Sequence, residues 1–565
     1  MAKFDTLYTP YAEMMDKSAP HDYYPRPSLK RDSFFSLNGE WDFSVTDATG
    51  NRSDAKILVP FPPESKLSGY EREIPRGALM EYRRVFTLPE GFLRDRLVIH
   101  FGAVDCISEL FINGISVHRN EGGYLPFSAD ITENIKEGEN EILLTVRDDL
   151  SPLYPYGKQR RDRGGMWYTP VSGIWQTVWL ESLPERYIEK LKVTPTLSSV
   201  TVKVFGGEEE KLFTFGEKEY RFSGDTLTVE IENPILWSPE NPHIYGFSLK
   251  SGEDEVESYF ALREIGTKAV GCVTRLTLNG EPYLFNGLLD QGYYPDGIFL
   301  PATLDGYRDD ILTAKSLGFN MLRKHIKVEP EIFYYLCDTL GMVVFQDMVN
   351  NSGYSFLLDT VLPTIGIKRL PDKFKHRNKT SRKIFTEQMT ATIEHLYNFP
   401  SVLYYTVFNE GWGQFTADKM YSIAKEADPT RIIDAASGWF TRKKSDVDSR
   451  HVYFKAVKVG KISNRPTVIS EFGGYSHRVD GHLFGSKNYG YRLFDSVEDF
   501  ESAFLSLYEN EILPGVRESF SALVYTQLSD VEDETNGLLT YDRRLRKVKP
   551  ERLCTVMSRL YKQEN

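Results

Sequence analysis

The stretch YYTVFNEGW runs as a short aromatic and β-branched strand and then stops at Asn409-Glu410. A second strand-like run, PTVISEF, carries Glu471 at its end. Two strand-end glutamates suit glycoside hydrolysis. One acid protonates the departing oxygen while a second carboxylate acts from the other side of the ring. The roles demand different pKa values, and therefore different burial and hydrogen bonding. An amide beside the acid, as at Asn409, suits a sugar 2-hydroxyl, a bond that strengthens in an oxocarbenium-like transition state.

Other polar residues fall at the ends of similar runs. Asp290 ends YLFNGLLD, and Arg323 and His325 lie in NMLRKHI. Asp347 ends VVFQD, and Gln527 and Asp530 lie in YTQLSD. Any one strand-end acid is more often a helix cap or a solvated charge. Their gathering at one place is harder to explain that way. Trp412, Trp439, Tyr453 and Tyr475 offer flat faces for the C–H faces of a pyranose, or else they are packing residues.

Such residues need a frame that brings strand ends together. From about residue 269 the chain alternates strand and helix, as in PYLFNGLL before YRDDILTAKSLG and NMLRKHI before EPEIFYYLCDTLG. Eight strand candidates over this span predict a (β/α)8 TIM barrel, whose chemistry sits at the C-terminal strand ends. The rival, an open doubly wound sheet, would want a G-x-G-x-x-G after its first strand, and none is present. Residues 1–183 alternate apolar and polar positions between turns such as Asn113-Gly114, which predicts a jelly-roll β-sandwich. Residues 184–268 read as a smaller immunoglobulin-like β-sandwich, and 269–565 as the barrel.

The chain has 565 residues and a net charge of −12, so a nucleic-acid partner, which wants a basic face, is not expected. No run of apolar residues is long enough for a membrane span. Cys106, Cys272, Cys337 and Cys554 are scattered, and the first residues lack an apolar signal core, so a cytoplasmic protein without disulfides is expected. No spacing of His, Asp or Glu marks a metal site, and no cofactor is expected. A basic stretch at 367–383 suggests a lid or a subunit contact in a possible homo-oligomer, or simply a solvated loop.

The segments YPRP, LNGEWDF, GGYLPFSADIT, GIWQTVWLE, LWSPENPHIY, FALREI, NMLRKH, VFNEG, VISEFGG and LLTYDR occur in an order that resembles glycoside hydrolase family 2. The resemblance spans the whole chain. It implies a jelly-roll sugar-binding domain, an immunoglobulin-like domain and a catalytic barrel. It further implies that Glu410 is the general acid/base, Glu471 the nucleophile of a retaining mechanism, and Asn409 the 2-hydroxyl contact. His325 matches the family's second-strand histidine, and Tyr525 stands where an aromatic opens the last strand's site segment. The implied substrate is an oligosaccharide or small glycoside, attacked at its terminal non-reducing sugar. Asp290-Gln291 replaces the family's usual first-strand ending. Glu534-Thr535-Asn536 stands where β-glucuronidases carry an Asn-x-Lys for the substrate carboxylate. The expectation is therefore β-galactosidase-like. The alternatives are a β-glucuronidase with an atypical carboxylate pocket, β-mannosidase or α-L-arabinosidase specificity, and a carbohydrate-binding protein without catalysis.

Overall fold

The computed structural model describes residues 7–362 and 376–562. Most of the basic stretch, 367–375, lies outside the described residues, and its end enters the helix Lys379–Leu396.

The first layer pair is an antiparallel sandwich. A six-stranded sheet runs in the order Arg52–Val59, Gly39–Thr46, Leu79–Phe86, Asn140–Arg147, Ile107–Ile112, Ile115–Glu121. A four-stranded sheet of Phe35–Ser36, Val178–Leu183, Arg96–Phe101 and Phe127–Asp130 faces it. The sequence NEILLTVR shows why. Ile142, Leu144 and Val146 alternate with half-exposed or exposed residues, so one face of the strand enters the core. A second sandwich, from Ile188–Pro195 to Asp254–Phe260, closes over Val193, Val202, Phe213, Leu249 and Val256.

The remainder is the TIM barrel. Its strands are β1 (Phe285–Asp290), β2 (Met321–Lys324), β3 (Val343–Asp347), β4 (Val402–Thr406), β5 (Ile432–Asp434), β6 (Asp448–Val452), β7 (Thr467–Gly473) and β8 (Phe520–Thr526). All pairings are parallel, in the order β5-β4-β3-β2-β1-β8-β7-β6. The sheet curls nearly closed. At the seam between β5 and β6, the Asp446 amide donates to the Ile433 carbonyl at 3.0 Å, and Asp446 accepts from the Ile433 amide at 2.9 Å.

The two strand faces have separate partners. Phe285, Leu289, Met321, Val343, Phe345, Tyr404, Val468 and Val524 fill the barrel interior. Leu288, Leu322, Val344, Tyr405, Ile469 and Leu523 pack outward under the helices. A strand buried on both faces is a near-continuous apolar run, as β3, β4 and β8 are, whereas β6 (DSRHV) is polar and only partly buried. The helix Glu331–Leu340 presents Ile332, Phe333, Leu336 and Cys337 to that layer and stops at Gly341, whose φ of 76° suits glycine. A third apolar cluster joins the first sandwich to the barrel mouth through Trp167, Tyr168, Trp175, Tyr293, Phe299, Ile326, Trp412 and Tyr541.

Candidate active site

Glu410 follows β4 at the barrel mouth. Its φ of 51° lies in the left-handed region, and its amide donates to the Ser437 carbonyl at 2.9 Å. Its side chain keeps about a quarter of its surface open, 24%. Glu471 lies in β7, with only 5% of its side chain exposed. The two carboxylates meet at His451 of β6. Its Nδ1 lies 2.8 Å from Glu410 Oε1 and 3.5 Å from Glu471 Oε2. The nearest carboxylate oxygens of the two glutamates lie within 4.8 Å of each other.

Glu471 is held from three sides. Arg323 Nη1 donates to its Oε1 at 3.1 Å, and the Tyr453 hydroxyl donates to its Oε2. Burial pushes the Glu471 carboxyl up, but the charges of His451, Arg323 and His325 and the Tyr453 bond outweigh it and hold the group below its ordinary value. Arg323 also donates to Asp347 Oδ1 at 2.9 Å, to the Ser470 carbonyl at 2.8 Å and to Asn409 Oδ1 at 2.9 Å. One buried guanidinium thus fixes groups on β3, β7 and the β4 end together.

The sequence-predicted residues divide into two sets. Asn409, His325, Tyr453 and Trp439 gather around the glutamates. His325 engages Asp347 through Nδ1 at 2.7 Å, which leaves Nε2 for a ligand. Tyr453 stacks on Tyr491 with centroids 3.9 Å apart, and Trp439 meets the His451 ring edge-on at 5.6 Å. Gln527 stands back from the pair, in an amide cluster. It donates to Asn536 at 2.7 Å and to Glu534 at 3.2 Å, and accepts from Gln291 at 2.9 Å.

Asp290 and Tyr525 require correction. Both lie on the outward face of their strands, as Leu288 and Leu523 do. Asp290 is buried and pairs with Lys324 at 2.5 Å, within a network that continues to Glu329 and Lys327. Tyr525 is fully buried against Phe472 and Phe504, and its ring lies where a β-carbon at Gly473 would stand. Neither side chain faces the glutamates. Asp530 is likewise occupied by Lys547 at 2.7 Å.

Three contributors were not singled out from the sequence. His451 precedes Tyr453 by two, and period-2 alternation would have placed both on one face. Thr526, next to Tyr525 and of opposite parity, reaches the Tyr453 hydroxyl at 3.0 Å. Tyr168 belongs to the first sandwich and donates to Glu534 across the domain junction. No sequence signal pointed to it.

Two groups of metal-ligand type occur among the described residues: Glu410, His451 and Glu471, and the buried trio Asp105, Cys106 and Asp148. In the first, His451 lies between the two carboxylates and bonds Glu410, an arrangement suited to proton handling. In the second, burial pushes both aspartic acids up, toward their neutral forms.

Three regions of the chain match known family profiles. Residues 71–184 match the profile of the glycosyl hydrolases family 2 sugar binding domain, residues 187–263 that of glycosyl hydrolases family 2, and residues 274–547 that of the family 2 TIM barrel domain. The chain belongs to glycoside hydrolase family 2. The order of its segments had implied this family and its three domain types. A β-galactosidase of Leuconostoc mesenteroides is 25% identical, over 84% of this chain and 46% of its own length. A putative β-glucuronidase of Formosa agariphila is 25% identical, over 79% of this chain and 55% of its own. The family 2 chain thus spans about half the length of these curated relatives. Among solved structures, a β-galacturonidase of Eisenbergiella tayi superposes with a TM-score of 0.70 at 18% identity, covering 94% of this chain and 97% of the other. A β-D-glucuronidase of Dictyoglomus thermophilum gives 0.74 at 18%, covering 96% and 99%. These two share the family 2 fold. No helix among the described residues is long and apolar enough to cross a membrane.

His451 gives a first test. Its charge is the largest influence holding the Glu471 carboxyl down against burial. His451→Asn is expected to raise that pKa. The acidic limb of kcat/KM, where Glu471 gains its proton, then moves to higher pH, and a pH profile of both proteins measures the shift. An unmoved limb would mean that His451 does not tune Glu471.

Proposed function

We propose that this family 2 protein is a retaining, exo-acting β-glycosidase, with Glu410 as general acid/base and Glu471 as nucleophile. The observation that carries this reading is the closeness of the two carboxylates. One oxygen of each lies within 4.8 Å of the other and both reach His451, a closeness that fits the roughly 5–5.5 Å between the carboxyl groups of retaining pairs better than the roughly 6.5–9.5 Å that leaves room for a water.

Each residue then has a role in double displacement. Glu471, held ionised by Arg323 and Tyr453, attacks the anomeric carbon. Glu410 gives its proton to the departing oxygen, and His451 holds that carboxyl in place. A glycosyl ester forms on Glu471 Oε2 or Oε1. Glu410, now a carboxylate, takes a proton from water, which attacks the same carbon and releases the sugar with its original configuration. Asn409, oriented by Arg323, is placed for the 2-hydroxyl. The rings of Tyr156, Trp167, Tyr354 and Trp412 pack edge-to-face beside the loop that follows Glu410.

A β-galactoside and a β-glucuronide are the first substrates to try, since the curated relatives include a β-galactosidase and a putative β-glucuronidase. Proton NMR of the first-formed anomer during hydrolysis of a nitrophenyl β-galactoside tests the mechanism. The β-anomer is expected. An α-anomer would overturn retention, and no turnover across a panel of nitrophenyl glycosides would overturn the activity.

A further inference from the structure

We propose that Lys158, carried to the barrel mouth by the first sandwich, is a specificity-determining residue that binds an anionic substituent on the sugar in the cleavage site. The 6-carboxylate of a hexuronide and a sulfate ester share that chemistry. The proposal rests on the assignment of Glu410 and Glu471 as the catalytic pair.

The loop that bears Lys158 is pinned to the barrel. The amides of Tyr156 and Gly157 donate to the Asn350 carbonyl just beyond β3, at 3.1 and 3.3 Å. Gly157 has φ of 66°, and a β-carbon there would stand 2.9 Å from the Ile326 carbonyl beyond β2, so the backbone is pressed against the strand ends. The Lys158 carbonyl accepts from the Tyr168 amide at 2.9 Å, and the Tyr168 hydroxyl reaches Glu534. Lys158 therefore lies between His325-Ile326 on one side and Glu534 on the other. Its charge acts on both His325 and Glu534, and each of these acts in turn with Glu471. That is the nucleophile's side of the pocket, where the sugar ring must sit.

The Lys158 residue is partly buried, and its ammonium stands 5.9 Å from the Trp167 ring centre. It makes no ion pair with a described residue. Glu534 does not serve as a plain counter-ion. Burial pushes its carboxyl up, and its oxygen is engaged by Tyr168 and Gln527. The sequence puts an acid where a carboxylate-binding lysine is expected, and the structure brings a cation from another domain. Other cations nearby are placed differently: Arg160, over the same Trp167 ring, pairs with Asp162, and Arg163 pairs with Glu73 and bonds Thr169. Lys487 is exposed, and Arg492 is exposed and lies over the rings of Tyr475 and Phe494. An ammonium at the pocket without an ion-pair partner among the described residues offers its donors to an anionic substituent on the substrate.

Matched nitrophenyl substrates that differ only at C6 isolate this effect: β-galactoside against β-galacturonide, β-glucoside against β-glucuronide, and β-galactoside against its 6-sulfate. In the full chain, the acidic member of at least one pair is expected to have the higher kcat/KM. Lys158→Met is expected to lower that value by roughly 30-fold or more, and to change the neutral partner by less than about 3-fold. The uronide and sulfate arms tell the two anions apart. A wild-type preference for every neutral member, or an equal loss on both members in Lys158→Met, would overturn the proposal. So would recovery of Lys158→Met by an added Glu534→Gln, which would show that Lys158 only balances Glu534. Labelling with matched 2-deoxy-2-fluoro sugars is expected to place the adduct on Glu471 in both proteins. Absence of any adduct in the wild type would instead bring down the catalytic assignment beneath it.

Discussion

Glu471→Ala is expected to lose activity on every substrate. Removal of the nucleophile takes away the covalent route, and kcat/KM should fall by on the order of 10⁴-fold or more, whether the leaving group is a dinitrophenolate or a sugar alkoxide. The cavity left by the side chain opens the face that Arg323 and Tyr453 now bound. Azide has room there for direct displacement, and any product should be the α-glycosyl azide. Rates across leaving groups and the anomer assigned by NMR measure this. A β-azide from Glu471→Ala would exchange the roles of the two glutamates.

Glu410→Ala is expected to behave in a leaving-group-dependent way. A dinitrophenolate departs without a proton, so the glycosyl ester on Glu471 forms readily and then persists, because no base activates water. Turnover should be slow after a burst. Azide needs no base, and should restore turnover and give the β-glycosyl azide. On a disaccharide, which needs the proton, the loss should be about 10²–10⁴-fold. Equal losses on good and poor leaving groups would remove Glu410 from the role of acid.

Much of the frame could be read from the sequence because its signals are local. Most of the barrel strands are short apolar runs, Asp448–Val452 (DSRHV) being the exception, and the strand-end position of Glu410 and Glu471 follows from their own runs. What failed was parity. Asp290 and Tyr525 stand at strand ends too, but they share the outward face of Leu288 and Leu523, so one meets Lys324 and the other Phe504. Applied two residues at a time, the same alternation selects Thr526 over Tyr525 and adds His451 to Tyr453. Tyr168 and Lys158 lay beyond any such rule. Their distance in sequence from Glu534 is hundreds of residues, and only the packing of one domain on another brings them near.

That packing has a consequence for how the chain is made. The cluster between the first sandwich and the barrel draws on Leu7, Tyr11, Phe61 and Trp175 early in the chain, and on Val531 and Tyr541 close to its end. Thr9 is bonded to Asp296, and the Thr169 amide to Glu532 at 2.7 Å. During synthesis the sandwich emerges with this face bare; its cover begins with Tyr293 and Phe299, grows through Ile326 and Trp412, and is complete only with the loop after the last barrel strand. Until that loop is made the growing chain therefore carries a partly covered apolar surface, the condition under which a chaperone is most useful and a truncated product most prone to aggregate.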